Sequence, residues 1–517
     1  MTLSDGFLFT QLRRLCVAFA LVLLATSSHA APTNATSRPS EGIPDPNINV
    51  LMIVLDEAPL FPLLKTDGTI NSDRYPGFAS LAANSTWYRN MVGTAQRTTE
   101  ALPSILDGRL PTFKNYPYLK DHPDNLFTAM RGKKKLDVFQ AITHLCPKKA
   151  CENAQPTTGV RLFKQIRQFN KTIQQAATAT EPTLSFAHVL LPHRPWILAP
   201  DMRYSMDVIN YPDTRSERLI DRRRDNYQSL LRQYVATDSL VAKLVKTMKS
   251  SSNWDNTMII VTADHGITFQ PGKSYRDTID PKSPGTLEDI YRIPLFIKYP
   301  KQVDPTVNDC AVSSIDILPT ILSVSNVSSQ KIKKGFDLST TCPQRESRTI
   351  RWPAGSYELG TSFDSLMKRV KYYNRWINAD SDVDGIYRSG LSGSLLGATT
   401  PGAAPTNKKI SWFINPAQSY QGASGARLTP IPARTSGEIF VQRSICKKCE
   451  GLIAVNDVFV GVISELSGMK SSTAGQYFTS SVMTRAILSK QNKIELWIAD
   501  WSGDTPVLTR VGSPTKK

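Results

Sequence analysis

Two short, wholly apolar runs frame this chain. Residues 49–55 (NVLMIVL) and 258–261 (MIIV) show neither polar alternation nor a 3.6-residue period, and both are rich in β-branched or long aliphatic side chains. Such runs predict strands buried on both faces, as in parallel sheets. Residues 183–191 (TLSFAHVLL) and 291–298 read the same way. Between them the period changes: Tyr227, Leu230, Leu231, Tyr234, Val241, Leu244, Val245 and Met248 fall on one stripe, predicting a helix over 218–248. Shorter helices are expected over 73–83, 160–177 and 316–322. Strands alternating with helices predict an α/β domain around a mostly parallel sheet. Residues 355–410, rich in Gly, Ser and Asp, predict loops. Beyond them the pattern shortens to strand length at 438–442, 452–455, 458–463, 477–482 and 493–499, with Asn456-Asp457 as a hairpin turn. This tail predicts a small β-sandwich-like domain.

The residues just past the two apolar strands carry the chemistry. The first strand ends in Asp56-Glu57, the second in Thr262-Ala263-Asp264-His265-Gly266. Ligands of open α/β sheets collect beyond the carboxyl ends of parallel strands. An isolated pair of this kind also reads as a turn-capping Asp beside a surface His. Two distant buried strands that both deliver carboxylates argue otherwise, because uncompensated buried charge is costly and a cation offsets it. Asp56, Asp264 and His265 are therefore predicted to hold one divalent metal (Zn, Mn, Ca or Mg), with Glu57 as a fourth ligand. Thr98-Thr99 before Glu100 reads, from residue types alone, as a helix N-cap.

The ends and the charge narrow the setting. Arg13-Arg14, the apolar run 15–25 and Ser28-His29-Ala30 form a secretory signal over 1–30, followed by a flexible leader over 31–46. The signal predicts export to a periplasmic or extracellular space; an uncleaved signal serving as a membrane anchor is the alternative. Setting aside Cys16, the six remaining cysteines fall in neighbouring pairs, Cys146/Cys151, Cys310/Cys342 and Cys446/Cys449, as disulfides of an oxidising compartment do. Half a zinc site is the rival reading of Cys446 and Cys449, and no second Cys or His pair lies nearby in sequence. The excess of 62 Lys+Arg over 44 Asp+Glu, net +18, favours anionic surroundings. In an exported protein these are envelope glycolipid or polysaccharide, with association at a membrane surface, rather than nucleic acid; a solvated basic face is the plain alternative. Trp497 and Trp501 are candidates to touch glycan or to pack in the β region.

Five segments resemble, in order, the sulfatase branch of the alkaline phosphatase superfamily: NVLMIVLDE (49–57), GTAQRTTEALPSILDGRLP (93–111), VTADHG (261–266), YRIPLFIKYP (291–300) and SSIDILPTIL (313–322). The resemblance implies an alkaline-phosphatase-like sheet in a catalytic domain over 47–343. A loop-rich extension (344–435) and the β domain (436–517) would come after it. Alignment places Thr98 at the sulfatase nucleophile and at the nucleophilic threonine of phosphoethanolamine transferases. Sulfatases oxidise a Cys or Ser within C/S-x-P-x-R to formylglycine; here the frame is Thr98-Thr99-Glu100-Ala101-Leu102. Threonine cannot form that aldehyde. As a metal-bound alkoxide it can attack phosphorus, so the resemblance implies that Thr98 is both nucleophile and metal ligand. His193 would act on substrate or leaving group, and His188, Lys273 and Arg292 would contact substrate. For His188 a backbone-satisfied core histidine is the rival reading. Lys273 and its neighbour Arg276 also read as solvated loop charges. No His follows His265, so a second metal lacks the ligand that the transferases supply.

The combined expectation is an exported, metal-dependent phosphoester or phosphodiester hydrolase, or a phospho-group transferase, acting on envelope glycolipid or polysaccharide through Thr98. Its alternatives are a sulfuric ester hydrolase and a non-catalytic metal-binding envelope protein.

Overall fold

The computed structural model describes residues 44–151, 162–205, 220–277, 279–328, 334–415, 431–442, 445–466, 470–487 and 491–515. The signal and nearly all of the leader lie outside these residues. Seven strands form the main sheet: β1 (Asn49–Asp56), β2 (Thr86–Tyr88), β3 (Lys135–Phe139), β4 (Thr183–Pro192), β5 (Thr257–Ala263), β6 (Leu295–Lys298) and β7 (Thr306–Asn308). Their spatial order is β3-β4-β1-β5-β6-β2-β7. β1 is buried at every position, which is why its sequence has no polar face. It lies between β4 and β5, parallel to both, with Val54 opposite His188 on one side and Thr262 on the other. β6 runs antiparallel to β5 and to β2. The register therefore brings His188, Asp56 and Asp264 to one end of three adjacent strands.

Helices pack around the sheet. α1 (Pro76–Ala82) crosses α4 (Ile220–Lys249), while α2 (Thr98–Asp107) and α3 (Leu162–Ala177) complete the set that bears on the site. The helix expected over 73–83 starts only at Pro76, whose fixed φ suits the first turn. The buried Asp238 of α4 accepts the Gly77 and Phe78 N–H groups at 2.9 and 2.7 Å, satisfying donors that α1 leaves open. A Cβ at Gly77 would lie 2.2 Å from the Asp238 carbonyl oxygen, so this crossing requires glycine.

The stretch expected to be loops departs from expectation. It holds the second strand of an antiparallel hairpin (Ser347–Trp352 with Gly355–Gly360) and a helix, Asp364–Asn374. Arg369 lies on that helix's buried face, paired to Asp289 at 2.7 and 2.8 Å, and a charge in the stripe hides its period. The C-terminal region is antiparallel β as expected, in two sheets, one of three strands and one of four. Asn456 and Asp457 both have φ above zero (52° and 63°) and turn Cys449–Val455 into Val458–Ile463, as a two-residue hairpin demands. Strands Ile410–Asn415 and Val507–Gly512 extend the two sheets beyond the five predicted. The region is tied to α4 by buried polar contacts, Arg434 to Asp225 (3.2 Å) and Arg232 to Ser481 (2.9 Å). Trp497 is buried and Trp501 donates its indole N–H to Ser392 (2.8 Å), so both serve packing. All three cysteine pairs are disulfides. Among the described residues no helix is long and apolar enough to cross a membrane.

Candidate active site

The strand ends build the site. Asp264 follows β5 directly; its Oδ1 accepts the N–H groups of His265 (2.7 Å) and Glu57 (3.1 Å). This cross-strand bond draws the two strand ends together and holds Glu57 at φ 58°, a strained conformation for a side-chain-bearing residue. Asp264 Oδ2 is left without a hydrogen-bond partner, as are Asp56 Oδ1 and both ring nitrogens of His188. All three side chains are fully buried or within 2 % of it. Buried polar atoms are rarely left unpaired, so several orphans at one point mark a place for a cation.

Ligand atoms of Asp56, Asp264 and His265 lie within 4.8 Å of one another. His265 Nδ1–H donates to the Gly266 carbonyl (3.0 Å), which turns the Nε2 lone pair inward, the tautomer a metal ligand needs. Burial lowers the His265 pKa and keeps the ring neutral. Burial raises the Asp264 carboxyl and the nearby Asp56 charge raises it further. For Asp56, burial is outweighed by His193 and His188, which hold it below the usual carboxylate range. Two carboxylates this close ionise together at little cost only beside a positive charge, so the donor set fits a divalent cation. His188 Nε2 stands 3.4 Å from Asp56 Oδ2 and 3.9 Å from Asp264 Oδ2. It is therefore in the cluster and is not a backbone-satisfied core histidine. Glu57 stands beside the triad: its Oε2 accepts from the Arg194 N–H (3.2 Å) and its Oε1 is 3.3 Å from Arg276 Nε.

Thr98 is the first residue of α2, whose N-cap position is Arg97, and no side chain caps that helix. The cap reading thus gives way to a different role. The Thr98 hydroxyl lies 3.3 Å from Asp56 Oδ2 and 3.4 Å from His265 Nε2. The neighbouring Thr99 donates instead to Glu100 (2.7 Å). A helix N-terminus at this point favours an anionic group on the Thr98 oxygen. His193 Nε2 lies 3.8 Å from Glu57 Oε2 and 4.0 Å from Asp56 Oδ1. Burial works to lower its pKa, while Glu57 and then Asp56 raise it, and the net shift is upward.

The long loop after His265 separates the two basic residues that sequence left together. Arg276 turns in, its Nη2 3.1 Å from His193 Nε2 and its Nη1 2.5 Å from His265 Nε2. Lys273 turns out and pairs with Asp280 at 2.8 Å, so it is not placed to meet substrate. Arg292 is likewise not at the site. It is fully buried, bonded to Glu288 (2.8 Å), to Asn90 and to the Gly360 and Ser362 carbonyls, where it clamps the 347–360 hairpin. Gly266 passes so close to its neighbours that a Cβ there would lie 2.3 Å from the Asp289 carbonyl oxygen and 2.9 Å from Pro59 Cβ. Gly266→Ala is expected to destabilise the fold by about 1–3 kcal/mol through overpacking, measured by denaturant unfolding.

Comparison with known proteins adds the family. Residues 149–327 match the family model described as Sulfatase. The chain is sulfatase-like. The matched segment holds three of the five ordered motifs, those at 261–266, 291–300 and 313–322. An ulvan-active sulfatase of Formosa agariphila is 28 % identical over 184 residues, 34 % of this chain and 35 % of that protein. An N-acetylglucosamine-6-O-sulfatase of Bacteroides thetaiotaomicron is 26 % identical over 164 residues, 30 % of this chain and 28 % of that one. This sulfatase-like chain thus spans about a third of the length of the curated relatives it matches. Among solved structures, a 2-O GAG sulfatase aligns with a TM-score of 0.44 and 15 % identity, over 59 % of this chain and 78 % of that one. The matched segment contains His188, His193, Asp264 and His265, while Asp56 and Thr98 precede it.

Proposed function

We propose that this sulfatase-like chain is a metal-dependent ester hydrolase that removes an anionic sulfuryl or phosphoryl group from a polysaccharide or glycolipid after export. The observation that carries the reading is the Thr98 hydroxyl within 3.4 Å of both Asp56 and His265, inside a buried cation-binding cluster. That placement also favours an enzyme over a metal-bearing protein without catalysis. Asp56, Asp264 and His265 would hold the cation, with Thr98 and His188 in reach. When bound there, such an ion would supply a lowered pKa for the threonine hydroxyl and charge neutralisation at the ester.

The chain's own residues supply the rest. Arg276 offers a planar pair of donors to the ester's non-bridging oxygens. Thr98 Oγ1 gives up its proton to solvent and attacks sulfur or phosphorus, the bond to the alcohol oxygen breaks, and protonated His193 gives its proton to that oxygen. Water then releases the group from Thr98; one proton of the attacking water restores the Thr98 hydroxyl and the other recharges His193.

Two readings of the transferred group differ. The names of the relatives favour a sulfuric ester, and ulvan and glucosamine in those names suggest an anionic polysaccharide. Thr98, which cannot become formylglycine, favours a phosphoric ester. Turnover of an aryl sulfate, an aryl phosphate and an aryl phosphodiester, each with Zn, Mn, Ca or Mg, decides between them. Turnover of none of the three with any metal would overturn the hydrolase reading. Arg276→Ala should raise KM for the turned-over ester roughly ten- to hundredfold, since bonds to charged groups are worth about 1.5–3 kcal/mol. Steady-state kinetics with metal content measured in parallel checks this; metal should stay bound.

A further inference from the structure

A cleft of about 140 Å³ with both polar and apolar walls opens along α2, starting one residue after the proposed nucleophile. Thr99 and Glu100, the two residues after Thr98, form one wall, and Asp107 and His122 line another part of it. The His122 Nδ1–H donates to Asp107 Oδ2 (2.7 Å), while Asp107 Oδ1 accepts the Arg109 N–H (2.9 Å). This fixes the imidazole and leaves its Nε2 as the nitrogen open to a ligand. Asn115 and Asp121 also line the cleft, and Asp121 accepts the backbone N–H of Tyr116 (3.1 Å). That bond ties Tyr116, the residue after Asn115, to a lining residue of the cleft. Tyr116 and Tyr118 are 65 % and 42 % exposed, with near-parallel rings 6.2 Å apart. Large aromatics this exposed and adjacent mark a contact surface more often than single exposed apolar residues do.

The chemistry of the pair identifies the ligand class. Carboxylates, an amide and an oriented imidazole offer both donors and acceptors for hydroxyl groups, while Leu110, Pro111 and Phe113 give an apolar wall for the C–H faces of a sugar. Tyrosine presents a flat apolar body with a polar tip and stacks well on the C–H face of a pyranose ring. Glu100, Asp107 and Asp121 outnumber the one arginine of the lining, Arg109, so the balance of charge disfavours a second sulfate or phosphate in the cleft. We propose that this cleft and the Tyr116–Tyr118 face form a subsite for an uncharged, hydroxyl-bearing sugar unit, the neighbour of the esterified unit in the same chain. The link to an esterified unit rests on the hydrolase reading above; the sugar-binding claim stands on its own geometry.

The test separates the two. Binding of the full chain to desulfated carrageenan oligosaccharide, a β-1,4-glucan hexamer and an N-acetylglucosamine hexamer is measured by calorimetry, none of them carrying a charge or a cleavable sulfate or phosphate. At least one should bind. Tyr116→Ala combined with Tyr118→Ala should weaken that binding about tenfold or more, while Tyr116→Phe with Tyr118→Phe should retain it. These substitutions leave the net charge of +18 unchanged, so general attraction to polyanions cannot account for a difference. An unchanged thermal midpoint in the Ala variant shows that folding is intact. Absence of binding to all three sugars, or equal binding by the Ala variant, overturns the subsite. Aryl ester turnover by the unaltered protein reports separately on the hydrolase reading.

Discussion

Thr98→Ala is expected to lower turnover by roughly four orders of magnitude, with the fold nearly untouched. The hydroxyl's two contacts, at 3.3 and 3.4 Å, lie at the long end of hydrogen bonding and contribute little to stability. Its removal from the first position of α2 should therefore change unfolding free energy by less than about 1 kcal/mol. Asp56, Asp264 and His265 remain to hold the cation, so metal content should persist while catalysis falls. Thr98→Ser keeps an attacking hydroxyl at the same place and should retain measurable activity. A Thr98→Ala enzyme that works at the parent rate would move the nucleophile elsewhere. Thr99 is a poor substitute, since its hydroxyl is committed to Glu100.

The parts of the site legible in the sequence are those that ordinary folding does not explain. Asp56 ends β1 and Asp264 follows β5, strands whose every side chain is buried. A carboxylate in that position needs a partner, and the parallel pairing of β1 with β5 makes each the other's neighbour. Thr98 is reachable only through the spacing of the resembling segment, because a threonine before a glutamate reads locally as a cap. The basic residues show the limit. Nothing nearby in sequence separates Arg276 from Lys273. The path of the loop separates them, pinned where Thr268 donates to Asp289 (2.7 Å) and the Tyr373 hydroxyl accepts the Phe269 N–H (2.9 Å). Tyr373 is supplied by the helix that the sequence pattern concealed. Arg292 misleads for the same reason, as it stands before an apolar strand like a site residue but its partners come from segments up to 202 residues away. Long-range partners of this kind leave no periodic trace.

Asp264→Asn gives the sharpest separation of metal binding from folding. One oxygen of this carboxylate is structural and the other faces the cluster: Oδ1 ties His265 to Glu57, while Oδ2 has no hydrogen-bond partner and lies 3.4 Å from His265 Nε2. An asparagine can keep the Oδ1 bonds, and its amide nitrogen then directs hydrogens at the place a cation would fill. The variant should lose at least about a hundredfold in metal affinity, in line with loss of a charged ligand. In metal-free buffer the expected sign reverses. Removing a buried negative charge beside Asp56 relieves repulsion and desolvation, so the variant should unfold at or above the parent's midpoint. Adding metal to about a hundred times the parent's Kd should then stabilise the parent by about 2.7 kcal/mol and the variant hardly at all. Paired denaturant melts with and without chelator, together with metal analysis of the protein as purified, measure both signs. A metal-free variant much less stable than its parent would show that Asp264 serves the fold through Oδ2 as well. Equal metal-induced stabilisation of both proteins would place the ion away from the Asp56–Asp264–His265 cluster.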